Sequence, residues 1–578
     1  MSTKDDLTIR IGGEGGEGII SSGDILTQAA TRAGLNVLTF KTFPAEIKGG
    51  YAMYQIRLSN EKIISTGDGF NVFVAFNEEA YQVNKKKLTE GTVFVYDGNG
   101  TGGFEPGDLP GVVSYAIPMS KIAKEDLGTY RSKNMVALGA IAHLFSISFK
   151  SLEEIVTNKF KRKGDDVVSV NIKALHAGKD YVEKELKKKD TIELSSVEAK
   201  DDIIVIDGNE AIGLGALLAG CNFFSCYPIT PATDVANWLS KFMPKVKGTL
   251  IQAEDEIASL GNVLGAAYAG AKAMTATSGP GLSLMSELLG MACMAEIPCV
   301  IVDVQRGGPS TGLPTKHEQS DLFLAAHGSH GDASRIVLSC DNVEDCISLT
   351  VEAFNLAEKY QAPVILLSDG SLGMRKEGIK RPDISKVKTL ERLKYDPSSN
   401  GDEPFMRYKI TDNWISPMSI PGMEGGAYVA TGIEHGETGA PKYTPDNHEL
   451  MGKKRFEKIK NVEDDLPESK RIGDEQADIG LIAWGSTQGD VTEAVNRARA
   501  EGLKVAALFP KLVYPVPVKA IEKFNKTVKK IMVPEINYQG QFADLIKAAT
   551  GIPVIKYNIY GGFPFTPNEI HNKIKEMI

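Results

Sequence analysis

Short runs of apolar residues alternate with helical stretches along most of this chain, and this alternation limits the fold more than any other feature. The clearest runs in the first third are LTIRI, NVLTF, NVFVAF and TVFVYD. Short apolar runs separated by helices are typical of buried strands in parallel sheets that helices cover on both faces. The sequence therefore predicts an α/β protein with doubly wound sheets.

The alternation stops and restarts twice, which predicts three domains. Single hydrophobic cores stop growing at about 250–300 residues, so a chain of 578 residues must be divided. The second series opens with DIIVIDG and the third with IGLIAWG. The predicted segments are a first α/β domain at 1–190, a charged linker at 191–201, a second α/β domain at 202–380, a connecting arm at 381–475 and a third α/β domain at 476–578.

The composition argues against several kinds of partner. The chain carries a net charge of -9 and no basic stripe with interleaved aromatic residues, which disfavours nucleic acid. Its start, MSTKDDLTIRIGG, has neither the basic nor the apolar region of a signal peptide, and Glu296 and Pro298 interrupt its longest apolar window. We expect a cytoplasmic protein that binds neither nucleic acid nor membranes.

Six cysteines are spread thinly, and no two of them form a CxxC pair. They are Cys221, Cys226, Cys293, Cys299, Cys340 and Cys346. This spacing argues against a four-cysteine iron–sulfur or zinc site within the chain. We expect reduced, buried thiols and no metal site.

A glycine-rich loop, GGEGGEGI, follows the first strand, and Gly13, Gly15 and Gly18 match the GxGxxG pattern of dinucleotide sites. An NAD site also needs an acidic residue after the next strand, where this chain has Lys41. NAD is therefore disfavoured. The loop suits a phosphate-bearing ligand, because free helix N–H groups attract anions, or else its glycines only let the helix pack close to the strand.

A GDG triplet in TGDGFN resembles the start of the thiamine diphosphate motif, which holds the magnesium of that cofactor. Here the triplet leads into the strand-like run FNVFVAFN, so the expected context of the motif is missing. The sequence predicts that this chain does not hold magnesium diphosphate by itself.

The stretch CYPITPATD places Thr230 between two prolines, after one apolar run and before a helical one. One interpretation is structural, with Thr230 as helix N-cap, Pro231 at the first helical position and Asp234 in the first turn. The other interpretation is that the Thr230 hydroxyl takes part in chemistry.

Three carboxylates precede a helix in IQAEDEIASLGNVLGAAYAGA, and small residues (Gly261, Gly265, Ala269) recur on one stripe of that helix. Such a stripe lets another backbone approach closely, which predicts a tightly packed helix with a buried acid at its start. A buried acid needs a partner, and the candidates are Glu254 and Glu256. First-turn acids that only stabilise the helix dipole are the alternative.

The apolar run CVIVDVQ leads into Arg306 and a loop of Gly, Pro, Ser and Thr. A guanidinium at the end of a strand suits two-pronged binding of a carboxylate, and a structural ion pair is the alternative. Strand ends of doubly wound sheets line one crevice, so Thr230, one of the two glutamates and Arg306 can meet there.

At these residues the sequence resembles the fused γ–α chain of the 2-oxoacid:ferredoxin oxidoreductases. GGEGGEG and FPAEIKGG resemble the γ segment, whereas YPITP, EDEIA, TATSGPG and QRGGPSTGLPT resemble the α segment. The resemblance covers essentially the whole chain, although Glu17 stands where the family often has glutamine. It implies that the middle domain is of the thiamine-enzyme pyrimidine type and that the last resembles a transketolase C-terminal domain.

The resemblance also implies the reaction, a thiamine diphosphate-dependent and coenzyme A-dependent oxidative decarboxylation that passes electrons to ferredoxin and is reversible. A separate β subunit is implied to supply Mg2+ and diphosphate contacts and a [4Fe–4S] cluster, in an (αβ)2 heterotetramer. The run STGLPTKHEQSDL looks most like the 2-oxoglutarate members, which form succinyl-CoA. Pyruvate or another 2-oxoacid is the alternative substrate, and a nucleotide-binding scaffold subunit without catalytic residues is the alternative class.

Roles for single residues follow from the same resemblance. Glu256, with Glu254 as fallback, is implied to bond N1′ of the aminopyrimidine, and Thr230 and Arg306 are implied to orient the oxoacid. The other implied contacts are Ser310, Thr311 and Lys316 or His317 for the substrate, Pro228 and Ile229 for the thiamine cofactor, and Gly15, Gly16 and Lys48, with Lys41 nearby, for coenzyme A.

Overall fold

The computed structural model of the protein describes residues 6–44, 49–194, 202–399 and 404–578. The chain divides into two units, Met1–Ile206 with Arg375–Arg381 and Asp207–Met374 with Pro382–Ile578. In the described ranges no helix has the length and apolar character needed to cross a membrane. The predicted domain limits stay a prediction.

The strands and helices are numbered in chain order. The strands are β1 (Asp6–Glu14), β2 (Asn36–Thr42), β3 (Tyr51–Ser59), β4 (Val72–Ala75), β5 (Val93–Asp97), β6 (Val113–Ile117), β7 (Ile203–Asp207), β8 (Phe223–Cys226), β9 (Thr249–Gln252), β10 (Ala273–Thr277), β11 (Cys299–Gln305), β12 (Ile336–Ser339), β13 (Pro363–Asp369), β14 (Lys376–Lys380), β15 (Lys470–Gly473), β16 (Ala477–Ile482), β17 (Val505–Phe509), β18 (Leu512–Tyr514), β19 (Val528–Glu535) and β20 (Val554–Asn558). The helices are α1 (Ile19–Arg32), α2 (Glu78–Asn84), α3 (Met119–Lys121), α4 (Lys133–Leu144), α5 (Phe149–Phe160), α6 (Asp165–Glu185), α7 (Gly208–Leu218), α8 (Thr233–Phe242), α9 (Glu256–Tyr268), α10 (Gly279–Leu284), α11 (Ser286–Met294), α12 (Leu322–His327), α13 (Val343–Tyr360), α14 (Gly370–Met374), α15 (Pro445–Glu457), α16 (Thr487–Ala500), α17 (Val518–Asn525), α18 (Gln541–Thr550) and α19 (Pro567–Met577).

The first unit is built on an eight-stranded sheet with the order β6-β5-β4-β1-β3-β2-β14-β7. Strands β4, β5 and β6 run parallel to β1, whereas β3 is antiparallel to both β1 and β2. The sheet is therefore mixed, where the sequence predicted a parallel one. The reason is β3, whose apolar run is broken by Gln55 and Arg57 and which the sequence did not reveal as a strand.

The strand β7 was predicted to open the second domain, and it lies instead at the edge of this first sheet. Its neighbour there is β14, a strand that follows β13 in the chain and pairs antiparallel with β2. Because β14 returns to the first sheet, β7 is the outermost strand of that sheet.

The second unit contains two further sheets. The larger one has the order β18-β12-β13-β11-β10-β8-β9, and every pair in it except β18 with β12 is parallel. All residues of β10, β11 and β13 are buried, as expected for strands with helices on both faces. The carboxyl ends of these parallel strands lie along one edge of the sheet. The smaller sheet has the order β15-β17-β16-β19-β20.

Buried ion pairs join the connecting arm, residues 381–475, to other elements of the second unit. Arg392 binds Glu358 at 2.7 Å, and both side chains are buried. Lys454 and Lys458 each lie 2.8 Å from the buried carboxylate of Glu296. Removing one partner of such a pair costs about 3–5 kcal/mol because the other charge stays buried. This segment is therefore tied down although it contains little regular structure.

Candidate functional site

Two of the predicted residues meet at the carboxyl edge of the larger sheet of the second unit. Arg306 directly follows β11, and Thr230 lies in the turn between β8 and α8. The Arg306 Nη1 donates a hydrogen bond of 2.7 Å to the backbone carbonyl of Thr230. Both residues therefore lie at the strand ends where the sequence predicted a shared crevice.

Thr230 is not a helix cap. The helix α8 begins at Thr233 with Ala232 in the N-cap position, and no side chain caps it. An N-cap carbonyl accepts the first hydrogen bond of its helix, whereas the Thr230 carbonyl accepts one from Arg306. The capping interpretation of Thr230 is wrong, and its half-buried side chain lies beside the guanidinium-bound carbonyl.

The three carboxylates before α9 occupy three different environments. Glu254 is exposed, Asp255 caps α9 by accepting a hydrogen bond of 2.7 Å from the Ala258 N–H, and Glu256 is only 5% exposed. Among the described residues, none donates a hydrogen bond to the Glu256 carboxylate. Arg306 is close enough to Glu256 for the two charges to interact. Of the two candidate acids, Glu256 is therefore the buried one and Glu254 the exposed one.

A glycine makes room for the Glu256 side chain. A Cβ atom on Gly281 of α10 would lie 2.6 Å from Cγ and 2.8 Å from Oε1 of Glu256, and 2.0 Å from the hydroxyl oxygen of Thr277. No real side chain fits at these distances. The backbone of α10 therefore packs directly against the buried glutamate, which explains one glycine of the TATSGPG run.

The small-residue stripe of α9 lies on the surface of this chain. Gly261 and Gly265 are exposed, and a Cβ atom on Gly265 would meet no other atom within 4 Å. Ile257 on the same helix and Leu284 on α10 are 47% and 50% exposed. The close backbone packing that the stripe predicted is therefore not made within the described residues.

Two acids for which the sequence made no prediction, the buried Asp303 and the half-buried Asp321, lie beside Arg306. Asp303 is fully buried on β11, and Asp321 follows the loop after that strand. Burial lowers the pKa of Arg306, and the charges of Asp321, Asp303 and Glu256 oppose that shift. The one sequence signal for this cluster is an aspartate inside the apolar run CVIVDVQ.

His317 was an alternative contact for a second substrate carboxylate, but the structure places it against a carboxylate of its own chain. Its Nδ1 lies 3.1 Å from Oδ1 of Asp369, and both side chains are 2% exposed. Burial acts to raise the pKa of Asp369, but His317 and several hydrogen bonds lower it overall. His317 also lies near the Thr230 turn, since a Cβ on Gly370 would be 3.4 Å from His317 and 3.6 Å from Pro231.

The other predicted contacts lie in the loops that follow β8 and β11. Lys316 has its Nζ 4.9 Å from the centre of the Phe563 ring, and burial lowers its pKa. Ser310 and Thr311 are exposed on the loop after Arg306. Pro228 is exposed and Ile229 is half-buried. The structure brings Lys316 beside an aromatic ring, and the roles of all five stay predictions.

The glycine-rich loop of the first unit has open space at one position. Gly16 has φ +104°, and a Cβ there would meet no atom within 4 Å. The Gly15 N–H donates to the Gly50 carbonyl at 2.9 Å, which ties the loop to the segment before β3. Lys41 is half-buried on β2, and Lys48 lies outside the described residues.

The Glu17 side chain stabilises the glycine-rich loop through hydrogen bonds and an ion pair. Its Oε2 accepts hydrogen bonds of 2.8 Å from the Glu14 N–H and 3.0 Å from Asn77, and Lys133 lies 3.2 Å from its Oε1. Lys133 also pairs with the buried Asp97 at 2.9 Å. The Glu17 side chain therefore has a structural role here.

Three family models match successive parts of the chain. Pyruvate ferredoxin/flavodoxin oxidoreductase matches residues 8–181. Pyruvate flavodoxin/ferredoxin oxidoreductase, thiamine diphosphate-binding, matches residues 214–454. Pyruvate:ferredoxin oxidoreductase core domain II matches residues 477–570. The predicted multidomain α/β fold with a thiamine-binding middle part is thereby confirmed.

Relatives cover nearly the whole chain. The 2-oxoglutarate oxidoreductase subunit KorA of Mycobacterium tuberculosis is 33% identical over 99% of this chain and 91% of its own length. The alpha subunit of 2-oxoacid:ferredoxin oxidoreductase 2 of Aeropyrum pernix is 29% identical over 99% of this chain and 98% of its own. A solved 2-oxoglutarate:ferredoxin oxidoreductase from Magnetococcus marinus, with 2-oxoglutarate, coenzyme A and succinyl-CoA bound, is 56% identical. It covers 99% of this chain and 100% of that chain, with a TM-score of 0.95.

Proposed function

The chain belongs to the 2-oxoacid:ferredoxin oxidoreductases, and on that premise we propose that it is the alpha subunit of a 2-oxoglutarate-oxidising member. The reaction converts 2-oxoglutarate, coenzyme A and two oxidised ferredoxins into succinyl-CoA, carbon dioxide, a proton and two reduced ferredoxins, and it can run in reverse. The observation that carries the proposal is the meeting of Arg306, the Thr230 turn and the buried Glu256 at one sheet edge. The 56% identity to the Magnetococcus marinus enzyme supports the choice of substrate.

The surroundings of Glu256 fit the aminopyrimidine end of thiamine diphosphate. Only 5% of Glu256 is exposed, and no described residue donates to its carboxylate, so a donor on a bound ligand would stabilise its negative charge. We assign N1′ of the aminopyrimidine as that donor, with Pro228 and Ile229 along the cofactor. Thiamine diphosphate, when bound, supplies a nucleophilic carbon for the oxoacid carbonyl and takes up the electron pair left by carbon dioxide.

Arg306 and Thr230 are assigned to the oxoacid. The guanidinium uses Nη1 for the Thr230 carbonyl, and its buried Nε has no partner among the described residues. A guanidinium carries five N–H donors, so it can bind a carboxylate while it holds the turn. The loop residues Ser310, Thr311 and Lys316 are assigned to the second carboxylate of 2-oxoglutarate.

Coenzyme A is assigned to the glycine-rich loop of the first unit, through Gly15, Gly16 and Lys48. The helix α1 follows this loop, and its first N–H groups suit a phosphate. The open space at Gly16 lets a ligand come close to the backbone.

Mg2+ and a [4Fe–4S] cluster are assigned to a separate β subunit, which passes electrons to ferredoxin. We propose that this subunit packs on the small-residue stripe of α9 and completes an (αβ)2 heterotetramer. The exposed side chains of Ile257 on α9 and Leu284 on α10, together with the open Gly261 and Gly265, support this, because exposed apolar patches mark protein interaction sites.

Gly265→Leu is therefore expected to reduce copurification of the β subunit at least about 10-fold, because the added side chain keeps the two backbones apart. The matched control is Gly452→Leu on α15, another glycine where a Cβ would meet no atom within 4 Å. The measurement is the ratio of the two subunits after affinity purification through this chain. Unchanged β subunit with Gly265→Leu would contradict the assignment.

The substrate is tested with the complex of both subunits, coenzyme A and a viologen dye as electron acceptor. We expect kcat/KM for 2-oxoglutarate to exceed that for pyruvate at least about 10-fold, since pyruvate leaves the polar groups for the second carboxylate unpaired. Faster turnover of pyruvate would reject the 2-oxoglutarate assignment and leave the family membership intact.

A further inference from the structure

Asp303 and Asp321, next to Arg306, have no part in the function proposed above. On the basis of that function, we propose that these two carboxyls hold one proton between them. Ionisation of Asp321 beside this proton sets the charge around Arg306 and thereby the affinity for the anionic oxoacid. Asp321 and Asp303 are in this view positioning residues, because they act on the substrate through Arg306.

The Asp321 side chain does not act as a helix cap, although the residue stands where a cap is expected. It stands at the N-cap of α12, yet its side chain caps no N–H of that helix. Its backbone N–H donates a hydrogen bond of 3.1 Å to Oε1 of Gln305, which places it over the β11 face that carries both Gln305 and Asp303. Its carboxyl oxygens lie 2.7 and 2.8 Å from the point where a Cβ on Gly279 would stand. Only glycine, which has no Cβ, leaves space for the Asp321 carboxyl at position 279.

Asp303 lacks a donor. Both of its carboxyl oxygens are buried, and neither accepts a hydrogen bond from a donor in the described part of the chain. Oδ2 of Asp321 is in the same situation. Two adjacent buried carboxyls satisfy each other when one of them is protonated and donates to the other, and they repel when both are ionised. The geometry therefore requires a proton in the pair.

The titration of the two groups agrees with the geometry. Burial raises the pKa of Asp303 well above its usual range, and the charge of Asp321 raises it further. Burial and the charge of Glu318 raise the pKa of Asp321 to about 7, although Arg306 opposes them. A raised carboxyl pKa means that the folded protein keeps the proton at a pH at which an ordinary aspartate has lost it.

The proton changes the charge that the oxoacid meets. The charged groups around the pair are Arg306, Glu256 and Glu318. Below about pH 7 both carboxyls are protonated and the pair is neutral, whereas above it Asp321 is ionised, Asp303 holds the shared proton, and the pair carries one negative charge. The charge on Asp321 competes with the oxoacid for the Arg306 guanidinium, because opposite charges interact strongly in a partly buried site. Ionisation of Asp321 should therefore weaken binding of the oxoacid more than it slows the chemistry.

The test uses the complete complex of both subunits and compares Asp321→Asn with the wild type. Asparagine has almost the same size and can donate to Asp303, but it cannot ionise. Between about pH 6.5 and about pH 8.5, the wild-type KM for 2-oxoglutarate is expected to rise about 10-fold, and that of Asp321→Asn to stay near its low-pH value. The exposed Asp332 gives the control variant Asp332→Asn, which should follow the wild type.

A second measurement does not depend on turnover. The infrared spectrum of the wild-type complex at about pH 8.5 should contain a protonated-carboxyl band that Asp303→Asn removes and Asp321→Asn only shifts. An unchanged band, or a wild-type KM whose pH profile is the same as that of Asp321→Asn, would overturn the shared proton. Absence of turnover with 2-oxoglutarate would instead reject the proposed substrate, and the infrared band would still decide on the proton.

Discussion

Glu256→Gln is expected to lower kcat of the assembled enzyme by about 10²- to 10⁴-fold, the range that a single acid–base group contributes. Glutamine keeps the volume of the side chain and its place against Gly281, where a Cβ would lie 2.8 Å from Oε1. It loses the negative charge that stabilises a protonated ring nitrogen. The loss should appear in kcat, measured with 2-oxoglutarate, coenzyme A and a viologen dye, while the KM for the oxoacid changes little.

The matched comparison is Glu254→Gln, because Glu254 stands two positions earlier and is exposed. We expect this variant to keep its activity within about a factor of two, as surface changes usually do. Both variants should still copurify with the β subunit, which separates a chemical role from an assembly role. A Glu256→Gln enzyme with near-normal kcat would remove this residue from the mechanism and favour the scaffold alternative.

The main sheet of the second unit was predictable because buried parallel strands leave a clear signal. The run CVIVDVQ is apolar along its length and becomes the fully buried β11. The strand β3 was missed because Gln55 and Arg57 interrupt its pattern, and β18 is only three residues long. Short or half-polar strands are defined by their pairing partners, which lie far away in the sequence.

The meeting of Thr230 and Arg306 was predictable because buried parallel strands can be recognised in the sequence. Residues that follow parallel strands gather at one edge of the sheet, so Thr230 and Arg306 could be placed together. The sequence does not tell whether Glu254 or Glu256 points into the protein, because this depends on which of them is buried in the folded chain. The Asp303 and Asp321 pair could not be predicted, because nothing in a sequence tells which carboxyls will share a buried space.

Arg306→Lys is expected to lower kcat/KM for 2-oxoglutarate by about 10²-fold, mainly through KM. The arginine holds the Thr230 carbonyl at 2.7 Å with one N–H group and has further N–H groups on its guanidinium for the oxoacid. Lysine keeps the charge but offers a single point of attachment, so it cannot hold the turn and the carboxylate in the same geometry. Truncating one side of a buried charged hydrogen bond costs about 2–5 kcal/mol, which brackets the expected loss.

Arg306→Gly separates a role in substrate binding from a role in folding. Removing the guanidinium leaves the acids around it uncompensated, so both activity and apparent Tm should fall. Added guanidinium ion can enter the space left by the side chain, and it should restore part of the activity of Arg306→Gly but none of that of Glu256→Gln. An Arg306→Lys enzyme with an unchanged KM for 2-oxoglutarate would show that the oxoacid carboxylate is held elsewhere. Arg306 would then serve only to fasten the Thr230 turn.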